Sequence, residues 1–191
     1  MEEVLWWRFL NNASVAAFLG AFSALLLVVL NDWRRRRRSK NQIRYLVSDN
    51  LDHARVKLTS VQRNLEMLAE NRFVPAPIMP FPIEALKNKQ IEVIDLLDSN
   101  ENRSLDALLY WMRAIDGLLE EYRSTANELR RAVELNTDNE TRSRLGGRMK
   151  IDLQDAASNL EILISLCESY ENGRYHEILE MVHPIGQRGD A

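Results

Sequence analysis

Three side chains near the C-terminus have the types and spacing to hold a metal ion. His176, Glu180 and His183 recur at i, i+4 and i+7, on one face of a helix. Two imidazoles and a carboxylate can ligate zinc. Glu180-x-x-His183 also matches half of a di-iron carboxylate set. That set needs a second Glu-x-x-His and further core glutamates, and the sequence holds no second copy. A solvated helix face accounts for the three residues, so no metal and no cofactor are expected. Cys167 is the single thiol. It falls on an apolar seam with no histidine at productive helical spacing, and reads as a small core residue rather than a nucleophile. His53 lies beside an apolar seam and reads as surface or boundary. The motifs G-x-x-x-x-G-K-[ST], G-x-G-x-x-G and H-E-x-x-H do not occur. The expectation is a protein that is not an enzyme.

One cluster has the chemistry to bind an anion. Arg142, Arg144, Arg148 and Lys150 surround Gly146 and Gly147 in TRSRLGGRMK, and Arg130 and Arg131 end the preceding helix across the same turn. Six cations near a helix start could hold a phosphate or a nucleotide signal. Against this, arginine is ordinarily drawn to helix C-termini and bundle ends. Trp111 falls off its helix's apolar seam with Leu118 seven residues on, a pair that would form a protein-docking surface if exposed. The Pro-rich segment nearby could equally cover them.

The elements that would position these groups follow from composition and patterning. The chain has 191 residues, 46% hydrophobic and 28% charged, enough for one packed domain and an appendage. Seven Gly and five Pro are too few for a many-stranded sandwich or barrel. One Cys excludes an intramolecular disulfide framework and a multi-thiolate zinc site. The net charge of −3 hides an asymmetry: residues 1–48 hold eight of the 25 bases but only three of the 28 acids. The remainder is therefore strongly acidic. Without a basic helix face there, nucleic acid is not expected as the main partner.

Ala13 to Leu30 is an uncharged apolar run of 18 residues, which Phe9 and Leu10 lengthen. That is the lower limit for a membrane-spanning helix. Trp6 and Trp7 precede it and Trp33 follows. Trp7 to Trp33 covers about 39 Å of helix, close to the separation of the two interfacial belts. The acidic Glu2 and Glu3, and the lack of a small-x-small site, speak against a cleaved signal peptide. Arg34, Arg35, Arg36, Arg37 and Arg38 come directly after the run. Under the positive-inside rule they hold the rest of the chain in the cytoplasm and leave the N-terminus outside, in a plasma or inner membrane. A single buried-seam thiol fits that reducing compartment. Within the run, Ala13, Ala17 and Ala21 form one line of small residues, and Ala16, Gly20 and Ala24 the next. Such faces let helices approach closely in lipid, so a homo-oligomer is expected.

Beyond the arginines, apolar residues alternate steps of three and four, the mark of helices packing at shallow angles. The seams are Val47, Leu51, Ala54, Leu58, Val61, Leu65, Leu68; Ile83, Leu86, Gln90, Val93, Leu97; Leu105, Leu108, Met112, Ile115, Leu119, Tyr122, Ala126, Leu129, Val133; and Met149, Leu153, Ala156, Leu160, Leu163, Cys167, Tyr170. The segment 73–82 carries four prolines and cannot be helix. It is apolar enough to pack across the helices. Ser99–Asn102 should separate two helices, with Ser104 as a cap. Thr137 or Asp138 should cap the next helix, whose first turns Gly146–Gly147 should weaken. Asn172–Gly173 should end it, and a short helix should run from Arg174 to His183. The first helix should continue from the span as a rod of about 100 Å, hinged at Ser39–Asn41.

The resulting expectation is an all-α chain: an anchor over 1–33, a basic juxtamembrane segment over 34–44, a cytoplasmic four-helix-bundle-like domain over 45–183 and a flexible tail over 184–191. Its expected role is an oligomeric, membrane-anchored scaffold or adaptor that binds a protein. Membrane lipid, a second copy and that protein are the expected partners. The alternative is a ligand-gated effector that senses a phosphate-bearing signal at the Arg142–Lys150 turn and perturbs the membrane through its associated spans.

Overall fold

The computed structural model describes residues 13–70 and 78–186, with side chains from 15 to 182. All regular structure there is helical, and no strand occurs among the described residues. The chain divides after Asn41 into two compact units. In the first unit, helix α1 begins at Ala13, and it continues unbroken to Ala69. No charge or proline interrupts it before Asp32, and Ser39–Asn41 are helical. The apolar stretch from Phe18 to Leu30 is exposed at every residue, with Phe18 at 70%. By length and composition this helix can cross a membrane.

The second unit takes in the rest of α1 and the helices α2 (Ile83–Val93), α3 (Ser99–Glu134), α4 (Asn139–Glu171) and α5 (Tyr175–Gly186). A single 3-10 turn, Ile94–Leu96, follows α2. The break expected at Ser99–Asn102 sits two residues earlier. Asp98 is extended, and its carboxylate accepts a hydrogen bond from the Glu101 amide at 2.8 Å, so Ser99–Asn102 forms the first turn of α3. Ser104 is buried instead of capping, and its hydroxyl donates to the Tyr175 carbonyl at 3.4 Å.

The turn between α3 and α4 closes with Asn136 at φ +50°, a left-handed residue in the role glycine usually fills. The amides of Asn136 and Thr137 donate to the carbonyls of Val133 and Ala132 at 3.1 and 3.0 Å. Asp138 then caps α4, accepting from the Thr141 amide at 2.7 Å. Helix α4 runs straight through Gly146–Gly147, because two helical glycines cost propensity without breaking the hydrogen-bond ladder. It ends at Asn172 and Gly173. Gly173 adopts φ +72°, and the Arg174 amide reaches back to the Ser169 carbonyl at 2.8 Å. Helix α5 extends to Gly186, past the expected stop at His183. Pro184 falls in its last turn, where it removes a single backbone bond.

One core joins these elements. From α4 it takes all seven expected residues, Met149 through Tyr170, each fully buried. From α3 it takes Leu105 through Ala126, while Val133 stays exposed and Ala132 is buried in its place. Helices α2, α4 and α5 all pack on α3, so residues outside its main seam are covered as well. From α1 the core takes Ile43, Val47, Leu51, Ala54 and Val61, but Leu58, Leu65 and Leu68 sit only partly buried at its edge. Asn50, Lys57 and Asn64 take the inner positions. A three-four pattern allows two seams one residue apart, and α1 turns its polar-bearing seam inward. The connector's Ile78 and Phe81 join the core, as its apolar composition implied.

Candidate functional site

The arginine collar stands on the first unit of α1. Arg34 through Arg38 occupy successive helical positions about 100° apart, so they ring the helix, and all are exposed. Two of the five are engaged locally. The Arg36 Nε donates to Asp32 Oδ2 at 2.9 Å. The Arg37 guanidinium lies over the Trp33 ring, 5.5 Å from its centroid. Above the collar, Ala16, Ala17, Gly20, Ala21 and Ala24 are exposed, and a methyl group placed at Gly20 meets no atom within 4 Å. Trp6 and Trp7 lie outside the described residues, as does the side chain of Ala13.

The six cations around Gly146–Gly147 are not brought to one point. Arg130 and Arg131 are exposed at the end of α3. On α4, Arg144 and Arg148 share a face, whereas Arg142 and Lys150 project at roughly 160° and 120° from Arg144 by helical rotation. Arg142 is already engaged, donating to Asn136 Oδ1 at 2.8 Å. The diglycine lies inside regular helix and presents no free amides, so the cradle expected there is absent.

Trp111 is 8% exposed and belongs to the core, and Leu118 packs partly buried against it. The expected docking surface is therefore corrected: the flank of α3 that carries Trp111 is covered. His176 and Glu180 form an exposed pair, Nδ1 to Oε1 at 3.2 Å. The His183 side chain lies outside the described residues, and no group of metal-ligating side chains occurs among those described. Cys167 is fully buried, and desolvation, aided by Glu171 and Glu168, pushes its thiol up to about 12. A thiol so disfavoured as thiolate is a packing group.

Sequence reasoning missed a charged clamp beneath the connector. Lys57 on α1 has a side chain only 5% exposed, and its Nζ lies 3.7 Å from Asp116 Oδ1 on α3. The same ammonium lies 4.4 Å from the centre of the Phe81 ring. The Phe81 amide donates to Asp116 Oδ2 at 2.9 Å, and Arg123 Nη2 donates to the Ile78 carbonyl at 3.0 Å. Arg123 also pairs with Glu120. Burial lowers the Lys57 ammonium and raises the Asp116 carboxyl, each against the pull of its partner. The arrangement fixes residues 78–81 to α3 through two backbone atoms, and to α1 through the Phe81 ring that Lys57 faces. Its signal was available: Asn50, Lys57 and Asn64 recur every seven residues, and a polar residue repeating on a helical seam marks buried polar pairing.

A second polar group ties α5 down. Glu101, 1% exposed, accepts from the Tyr175 hydroxyl at 3.3 Å. The rings of Tyr170 and Tyr175 lie 5.1 Å apart. The Tyr170 phenol is driven well above its ordinary value by burial, and then by the Glu101 charge. Gln90, the polar miss in the second seam, is buried as well and donates to Asn102 Oδ1 at 2.9 Å and Asp106 Oδ1 at 2.8 Å, joining α2 to α3. These groups hold helices together. None combines a nucleophile, a base and an orienting group.

Comparison with protein-family models, with curated proteins and with solved structures gives no match to this chain.

Proposed function

We propose that this chain is a non-enzymatic, single-pass membrane protein: an oligomeric scaffold or adaptor whose helical domain lies in the cytoplasm as a four-helix-like bundle. The observation that carries the reading is the exposed apolar face of α1 from Phe18 to Leu30, which ends directly in five arginines. In water so much contiguous apolar surface is costly. In a bilayer every backbone group of the helix is internally bonded and every side chain finds hydrocarbon. The arginines favour an inside position for the chain beyond them and an outside position for the N-terminus.

The small residues Ala16, Gly20 and Ala24, with Ala17 and Ala21 beside them, support self-association of the span. Exposed apolar side chains on the helical domain, among them Val133, Leu135 and Ile151, supply surface for a protein partner. The divergent cations of the Gly146–Gly147 turn give the ligand-gated alternative no support.

Alkaline carbonate washing of membranes that contain the full chain tests the anchor. The wild type stays with the bilayer, and the Leu25→Lys, Leu26→Lys double variant is released, since each central lysine costs about 3 kcal/mol of insertion. Release of the wild type would overturn the reading.

A further inference from the structure

We propose that Arg34, Arg35 and Arg38 form a binding face for the headgroup of an anionic phospholipid. This inference rests on the anchorage of α1 in a bilayer and names the ligand of the collar. Five exposed arginines in a row give a ring of charge, but the structure divides them. Arg36 is held by Asp32 at 2.9 Å, and Arg37 lies over Trp33. Arg34, Arg35 and Arg38 are exposed and have no acidic partner among the described residues. Helical rotation places these three within about 100° of one another. The uncompensated charge therefore lies on one side of the helix.

That side begins four residues after Leu30, about 6 Å further along the axis, at the depth of lipid phosphates if the apolar run fills the hydrocarbon. Trp33, 54% exposed, marks the same level. Guanidinium groups at i and i+4, with a third beside them, offer several N–H donors to one phosphodiester. A second negative charge within the headgroup strengthens the attraction. The source of the phosphate is lipid rather than free anion, because the cations adjoin an apolar surface that only acyl chains match.

Electron paramagnetic resonance on the full chain in phosphatidylcholine bilayers tests this. A trace of spin-labelled phosphatidylglycerol is compared with a trace of spin-labelled phosphatidylcholine. The wild type immobilises phosphatidylglycerol preferentially. R34Q/R38Q lowers that preference by up to about fivefold per arginine, the size of one basic residue's attraction to an anionic surface. R36Q/R37Q removes the same net charge and largely retains the preference. Equal immobilisation of both lipids overturns the proposal. Equal losses in the two double variants also overturn it, by showing a diffuse field instead of a face. A wild-type chain that fails to remain in the bilayer refutes the anchorage itself, and that result is distinguishable because neither lipid is then immobilised.

Discussion

Lys57 carries an ammonium into the buried face of α1, between Asn50 and Asn64 and beside Ala54 and Val61. It is tolerated because Asp116 and the Phe81 ring face it. Removing one partner leaves the other buried and uncompensated, so Asp116→Ala should cost about 3 kcal/mol. It also orphans the Phe81 amide. The Lys57→Met, Asp116→Asn double variant keeps an acceptor for that amide and removes both charges, and should lie within about 1 kcal/mol of wild type. Denaturation of the detergent-solubilised full chain checks both values. The pH dependence has a definite sign. The fold raises the Asp116 carboxyl, so this group's contribution is greatest at acid pH and is lost as pH climbs through the raised value. The fold lowers the Lys57 ammonium, so its contribution recovers as pH climbs from that lowered value towards the ordinary lysine range. The double variant removes both effects. Its stability relative to wild type should therefore be highest between the two titrations and fall off on either side. In the sequence, Lys57 looks like a surface residue because its partner lies 59 positions away. A seven-residue polar repeat is visible there, but its inward direction is not.

Elements are legible in the sequence where their ends carry local chemistry. Asp138, and Asn172 with Gly173, act at the ends expected of them, through bonds made within a few residues. The start of α3 is misplaced because Ser99–Asn102 looks like a turn, while the cap itself is Asp98. Asp98→Ala should lower stability by about 1 kcal/mol through the lost bond to the Glu101 amide. Gly173→Ala should cost about 1 kcal/mol for forcing a Cβ into left-handed backbone. Thermal unfolding followed by circular dichroism checks each. The seam of α4 is legible throughout, since its seven steps carry only apolar or aromatic side chains and Cys167, although Asp152, Leu166 and Ser169 are buried beside it. That of α1 is legible in part: Val47, Leu51, Ala54 and Val61 are buried, but Lys57 and Asn64 lie deeper than Leu58, Leu65 and Leu68, because leucines and polar residues compete for the same side and only the partner helix decides. Trp111 misleads for a related reason: burial outside a seam depends on how many helices surround α3, which periodicity does not encode. Along the span, Gly20→Leu should reduce self-association in bilayers by removing the closest line of approach. Energy transfer between labelled copies measures it, and an unchanged signal would place the contact on another face.

Over the whole molecule, charge and hydropathy are unevenly distributed along the chain. The N-terminal stretch is basic and apolar, and the chain beyond it is acidic with a conventional core. The all-helical character is legible because no stretch alternates with period two. The candidate site is legible only as a run of arginines; which of them stay unengaged depends on Asp32 and Trp33 rotating onto particular neighbours. The central claim is an anchored chain with its helical domain inside, and Leu135 offers the place to test it. It is 77% exposed, just after α3, while the native Cys167 is buried and its thiol raised to about 12, so it gives little background. In intact cells carrying Leu135→Cys in the full chain, a membrane-impermeant maleimide should leave the protein unlabelled and should label it fully once the membrane is permeabilised. Labelling in the intact cells would contradict the account.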